Sequence, residues 1–469
     1  MMYLNRLGLT VALTVALLSV PGVVFAQRAL DVSEVLTSVA ETHPKMAEAR
    51  QAIELELGRK LTALRTQEPR VAVSASAVPA GYYDYWTLAS TISQRVPSTG
   101  VKLVGGYRLG QGDIPAYYGE RETRDGGEVF AKVAVPLLAN RSIDKDRAEI
   151  AKTEISALQA RFAMESSWLE IARKASLVYW EWVAAGQKLR IAEDLLRIAK
   201  ERAERIHKQA ESGAYPRIAV VDADRVVLSR QSKLLQARGK FAGAQQKLSL
   251  FYRTAEGIPS APGLGRVPDE MLSPPNISDS SIESWIEAAV AQRPELEVAE
   301  SEKRNARVDL AMARNRSLPT LDANAFVARD IGSGSESLGR TDVGIGLTLS
   351  IPLFQREGRG KRREANAKLA MIEAKQRGLR DMIAMSIRKS ATLAILAAER
   401  RVVAEDRLKA TEQIAEAERE RVRQGASDLL TLNLRELDVA AAANEVVDSQ
   451  LEAHRASIEL VYSRGAIRR

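Results

Sequence analysis

The chain has 469 residues, 45% of them apolar and 27% charged, and no cysteine. That rules out disulfides, thiolate metal cages and a cysteine nucleophile, and the three histidines, His43, His207 and His454, are too widely separated to suggest a metal or catalytic group. The 68 basic against 60 acidic residues leave a net charge of +8, spread along the chain; the densest cluster, Lys361-Arg362-Arg363, has no aromatic to stack on a base, so nucleic acid is not an expected partner.

Residues 1–26 place Arg6 before an apolar run from Leu7 to Val20, then Pro21-Gly22 and the triplet Val24-Phe25-Ala26. This pattern predicts a secretory signal peptide cleaved between Ala26 and Gln27. The run of 14 residues is shorter than the ~20 that cross a bilayer as a helix. No cysteine follows it, so a lipid anchor is not expected.

From there the periodicity switches repeatedly. Residues 31–66 are rich in Ala, Leu, Glu and Arg and read as one helix. In region 70–138, Val71, Val73 and Ala75 alternate with polar or small neighbours, as do Leu88, Ser90 and Ile92, then Val101, Leu103, Gly105 and Tyr107, then Val129, Ala131, Val133 and Val135; these are strands of period two. A very long helix over 143–212, interrupted only by Gly186, and a shorter one over 217–252 follow. A Pro/Gly/Ser-rich connector, 253–280, then leads to a helix over 281–316, strands within 320–354, a long helix over 356–424 and a shorter one over 428–466.

The second half repeats the first. "HPKMAEARQAIELELGRKLTALRTQEPRVAVSAS" from His43 aligns with "RPELEVAESEKRNARVDLAMARNRSLPTLDANAF" from Arg293, setting Pro44 over Pro294 and Pro69 over Pro319. "VAVPLL" ending at Leu138 aligns with "LSIPLF" ending at Phe354, and "AEDLLRIAKERAERIHKQAESG" from Ala192 with "AEDRLKATEQIAEAERERVRQG" from Ala404. The expected organisation is a signal peptide (1–26), a first repeat (27–252), the connector (253–280) and a second repeat (281–469).

Each long helix nearly matches in length the two shorter ones of its repeat laid end to end, so each repeat predicts a stack about 105 Å tall at ~1.5 Å per residue. Such a rod is not a globular domain. An apolar seam, for example Ile171, Ala175, Val178, Trp182, Ala185 and Leu189, has coiled-coil spacing, which an ordinary antiparallel coiled coil would share. The strands distinguish the two: ribbons of ~9–11 residues suit an outer membrane. Four to six strands per chain cannot close a barrel, and open edges are not tolerated in lipid, so several chains must share one. Tyr82, Tyr83, Tyr85, Trp86, Tyr107, Tyr117, Tyr118 and Phe130 are 8 of the 23 aromatics, concentrated where an interfacial belt would lie. The fold class predicted is therefore mainly α with a β-barrel part: long antiparallel coiled-coil helices forming an α-barrel, transmembrane β-hairpins, internal duplication and a trimer.

Pro44/Pro294, Pro69/Pro319, "VPLLANRSIDKDRAEI", "IPLFQREGRGKRREA" and the helix-turn pair "ESGAYPRIAVVDADRVVL" and "RQGASDLLTLNLRELDVA" resemble the TolC-type outer-membrane efflux family over essentially the whole mature chain. The resemblance implies three chains closing a twelve-stranded barrel continued by a helical tunnel, whose tips meet a periplasmic adaptor joined to an inner-membrane pump. By the same resemblance Gly213, Ala214, Tyr215 and Gly425, Ala426, Ser427 are the adaptor-docking turns, with glycine allowing the φ > 0 reversal. The family's acidic ring beyond the turns is not matched, since Ala219, Thr431 and Leu434 stand there. Asp222 and Asp428 are the nearest gate candidates, with Arg217 and Arg423 as partners. The first strand region is also twice as long as the second, which leaves open an additional strand pair or long loops.

No phosphate-binding glycine loop, GxSxG or HExxH occurs, and Glu193-Asp194 and Glu405-Asp406 read as solvated charge pairs. The expected function is a passive, non-enzymatic outer-membrane channel of a tripartite efflux system. It would be a homotrimer in outer-membrane lipid with most of the chain in the periplasm, need no cofactor or metal, and carry metal ions or small toxic molecules for a pump of the resistance-nodulation-division type. The alternatives are an exporter for type I protein secretion and a pore-less periplasmic coiled-coil protein.

Overall fold

The computed structural model describes residues 28–115, 122–271, 274 and 281–467. The expected signal peptide, its Ala26–Gln27 junction, Tyr117 and Tyr118 lie outside them. The elements run α1 (Val32–Thr42), α2 (Pro44–Leu64), β1 (Arg70–Val78), β2 (Tyr85–Arg95), β3 (Lys102–Gly112), β4 (Glu128–Pro136), α3 (Lys145–Glu211) and α4 (Arg217–Ser249). The second half follows with α5 (Ile282–Gln292), α6 (Pro294–Asn315), β5 (Thr320–Asp330), β6 (Thr341–Ser350), α7 (Arg356–Arg423) and α8 (Leu429–Ser463).

Two of the expected helices are each split. The one over 31–66 breaks at His43 and the one over 281–316 at Arg293, because each precedes a proline. The proline ring drives the preceding residue out of helical geometry, and His43 (φ −70°, ψ 130°) and Arg293 (φ −67°, ψ 124°) are extended. Each proline then opens the next helix at its first turn, where its missing N–H leaves no bond unmade.

The long helices, 67 residues in α3 and 68 in α7, are about 100 Å tall at ~1.5 Å per residue. α3 packs against α2 near the sheet and α4 beyond it on one side, and against α6 and then α8 on the other; α7 packs on the far side of α6 and α8. The helices thus form four parallel staves: the α2/α4 stack, α3, the α6/α8 stack and α7.

α3 runs without a break through Gly186. A Cβ there would approach Val267 of the connector to 2.7 Å, so glycine is what lets the connector lie against the helix. Arg190 holds the connector by donating to the carbonyls of Val267 (2.8 Å) and Pro268 (3.2 Å). The main core lies at this level, where Trp168, Tyr179 and Trp182 of α3 pack with Leu30, Val35 and Val39 and with Leu248 of α4. Burial pushes the Tyr179 phenol well above its usual range, and its O–H donates to the Leu30 carbonyl at 2.7 Å.

The six strands form one antiparallel sheet in sequence order, β1 to β6. The excess length in the first half is therefore a strand pair, and each chain has two strands more than a twelve-stranded barrel shared by three chains requires. The turn between β2 and β3 comes back to the start of α3: Arg147 donates to the Ser98 carbonyl at 3.3 Å, and Arg95 pairs with Asp146 at 3.1 Å. At the other end of the sheet the β3–β4 and β5–β6 loops clasp each other, with Arg124 donating to the carbonyls of Gly332 (3.2 Å) and Ser335 (2.9 Å).

Candidate functional site

The ends of the staves farthest from the sheet are two helix turns of the same construction. α3 ends in a Schellman motif: Gly213 has φ +79°, its N–H donates to the Ala210 carbonyl (3.0 Å), and the Ala214 N–H donates to that of Gln209 (2.8 Å). α7 ends likewise, with Gly425 at φ +72° and bonds from Gly425 to Val422 (3.1 Å) and from Ala426 to Arg421 (2.8 Å). No atom lies within 4 Å of where a Cβ would stand on either glycine. Glycine is thus required at both by backbone conformation and not by crowding. Gly213, Ala214, Gly425 and Ala426 are exposed, and Tyr215 and Ser427 half-buried.

The helices that leave the turns start differently. Asp428 caps α8, its carboxylate accepting from the Thr431 N–H at 2.7 Å, and that bond leads the interactions holding its carboxyl below the usual aspartate range. Pro216 precedes α4 and makes no side-chain cap. The second turn is also braced, since Ser427 donates to the buried Glu418, which Arg421 meets at 3.3 Å.

The expected partners of the gate candidates differ from those found. Asp222 pairs with Arg225 one turn on (2.8 Å), and Arg423 reaches back to Glu420 (3.0 Å). The reason is local: residues three apart on a helix are neighbours, whereas Asp428 is committed to its cap. Arg217 lies exposed at the start of α4.

A buried polar cluster lies close by and joins the two halves. Glu436 of α8 accepts from Arg202 of α3 and has Arg419 of α7 at 3.7 Å. Arg230 of α4, only 5% exposed, donates to Asn433 of α8 at 3.2 Å. Burial lowers the Arg230 guanidinium below its usual range, against the pull of Glu436. The cluster was missed in the sequence, although a signal exists. Val227, Arg230, Leu234, Ala237 and Phe241 are spaced by three and four, so Arg230 occupies a position on an otherwise apolar seam.

The sheet is amphipathic across all six strands. Residues opposite one another in register share a face. One face carries Val71 and Val73 opposite Ile92 and Ser90, Leu88 opposite Leu109, Leu103 opposite Val133, Val327 opposite Val343 and Leu321 opposite Leu349. The other carries Ser74, Thr91, Lys102, Arg108, Lys132, Asp322 and Thr348. Arg108 pairs there with the buried Glu128, and Lys132 lies 4.9 Å from the centre of the Phe130 ring. Residues on the apolar face of β6 are among the most exposed large hydrophobics, with Ile345 at 89% and Val343 at 75%.

A largely apolar face on one sheet above staves of this height fits the TolC-type resemblance, and comparison with known proteins bears on it directly. Residues 285–466 match the family model for outer membrane efflux protein. That stretch, most of the second half of the chain, is similar to the outer membrane efflux protein family. Solved outer-membrane channels carry the likeness to the fold across nearly the whole chain. The outer membrane protein VceC of Vibrio cholerae superposes with a TM-score of 0.63 at 16% identity, covering 92% of this chain and 96% of that one. The CmeC outer membrane channel of Campylobacter jejuni gives 0.62 at 14%, covering 93% and 85%. The MtrE outer membrane channel of Neisseria gonorrhoeae, solved in an open state, gives 0.61 at 12%, covering 92% and 88%. No curated protein matches the sequence. Among the described residues, no group of three or more His, Asp or Glu could hold a metal ion. No described helix is long and apolar enough to cross a membrane.

Proposed function

We propose that this chain is the outer-membrane channel of a tripartite efflux system, a passive homotrimeric duct that carries metal ions or small toxic molecules from the periplasm to the exterior. The observation that carries this reading is the pairing of an open, one-face-apolar sheet with staves about 100 Å tall that end in two exposed glycine turns. A sheet with two bare edges and exposed apolar side chains is unstable alone in water or lipid, and closure by further copies satisfies both edges. The duplicated sequence motifs support reading 27–252 and 281–469 as repeats of one unit, exported after cleavage at Ala26–Gln27, with the staves in the periplasm.

In this reading the turns Gly213-Ala214-Tyr215 and Gly425-Ala426-Ser427 are where a periplasmic adaptor docks, coupling the duct to an inner-membrane pump of the resistance-nodulation-division type. Nothing in the chain supplies energy, so selectivity comes from bore and lining charge, and opening from separation of the stave ends. The ends are held by the Arg202–Glu436 and Arg230–Asn433 contacts, which lie about two turns along α4 from Asp222 and one to two turns along α8 from Asp428. Deleting the gene should leave cells retaining an efflux dye and sensitive to toxic metals or drugs, with both reversed by the intact gene. Unchanged retention and resistance, with secretion of a protein lost instead, would transfer the reading to type I secretion.

A further inference from the structure

The additional hairpin β2–β3 has the same construction as the strands around it. Its strands are 11 residues each, as is β5, and it lies inside the sheet, between β1 and β4, rather than hanging from its edge. Its apolar face, with Leu88, Ile92, Leu103 and Leu109, continues that of β1 and β4. The bare edges are therefore β1 and β6, of 9 and 10 residues. β1 runs away from the helices and β6 toward them, so pairing β6 with β1 of another copy extends the same antiparallel pattern. The outermost staves beneath also carry exposed apolar residues, Leu55 and Leu61 on α2 and Met371, Met382 and Met385 on α7.

We infer that all six strands enter the membrane barrel, and that three copies close an eighteen-stranded barrel by pairing β6 of each with β1 of the next. The inference rests on the trimeric duct proposed above and concerns its bore. Six strands at ~4.8 Å spacing, tilted by ~40°, occupy about 38 Å of circumference. Four staves at ~8–10 Å occupy about 32–40 Å. Four strands would cover about 25 Å, so the six strands of the sheet come closer to the width of their own staves. The corresponding barrel radius is about 18 Å, against about 12 Å for twelve strands, a size at which barrels hold an open aqueous channel.

The absence of native cysteine makes paired-cysteine cross-linking a clean test on the full-length protein in its own membrane. Val71, Val73 and Ala75 of β1 would each be combined with Val343, Ile345 and Leu347 of β6, and a second panel would combine the β6 positions with Leu103, Gly105 and Tyr107 of β3. Expected is a covalent trimer from at least one β1–β6 combination, collapsing to monomer with reductant, and none from the β3–β6 panel. A β3–β6 trimer would place β1 and β2 outside a twelve-stranded barrel and overturn the inference, as would covalent dimers alone or an intact membrane trimer that no β1–β6 pair links. Failure of the underlying duct reading is distinct: before any oxidation, no oligomer would be present in the outer-membrane fraction.

Discussion

Arg202 on the long helix of the first half and Glu436 on the last helix of the second form an ion pair across the joint between the halves, two to three turns from the exposed glycine turns. The pair is largely buried, with side-chain exposures of 16% and 9%, and Arg230 stands buried beside it. Removing one member of such a pair leaves cationic groups without compensation, which typically costs more than the pair contributes. Glu436→Gln is therefore expected to loosen the stave ends by about 2–3 kcal/mol. Hydrogen exchange of the α7–α8 turn should become at least tenfold faster than in the parent, while exchange in the core around Trp182 stays the same.

The two glycine turns are predicted to tolerate no β-branched residue. At φ +79° and +72° a valine is strained by about 1–3 kcal/mol at each position. Since nothing crowds either site, that strain falls on the turn alone. In the Gly213→Val/Gly425→Val double variant, adaptor-dependent export should fail while the oligomer assembles normally. Resistance equal to that of the parent would remove the docking role from these turns.

Gly186 makes a different prediction, because its constraint is contact and not conformation. Alanine is the better helix former by about 1 kcal/mol, yet its Cβ would meet Val267 at 2.7 Å. Gly186→Ala is expected to lower stability by about 1 kcal/mol net, and adding Val267→Ala should recover most of the loss. Thermal unfolding of the detergent-extracted protein measures both.

His43 links stability to pH. Its neutral ring accepts the Lys45 N–H through Nδ1 at 3.2 Å, capping α2. Burial first, then Arg253 and Lys45, hold its pKa below the usual histidine value. A lowered folded pKa means the unfolded chain takes up the proton first, so this contribution is complete above about pH 6.5 and is lost as pH falls through the folded value. The parent should melt at lower temperature at pH 5 than at pH 8, and His43→Asn, which keeps a capping acceptor that does not titrate, should show a smaller difference.

Much of this architecture was legible in the sequence because its signals are periodic. The alternation from Val343 to Ile351 and the seam from Ile171 to Leu189 depend only on which residues are apolar, and Gly213 and Gly425 mark helix ends by composition. What escaped depends on neighbours distant in sequence or on one local rule. The breaks at His43 and Arg293 follow from the proline after each, a constraint that helix-favouring composition on both sides obscured. Gly186 reads as a weak point in a helix until Val267 is seen against it. The pairing of Asp222 with Arg225 follows from helix spacing, whereas that of Arg202 with Glu436, 234 residues away, needed the three-dimensional arrangement. The strand count of the first half was ambiguous because β2 and β3 are joined by a short Pro/Ser/Thr/Gly turn that reads equally as part of a long loop.

Reconstitution in a planar lipid bilayer tests the central claim most directly. Detergent-extracted oligomer added to one side is predicted to insert and give discrete, long-lived current steps of uniform size, enlarged in the Glu436→Gln variant. A protein that purifies as a monomer without detergent and never produces such steps would contradict the account.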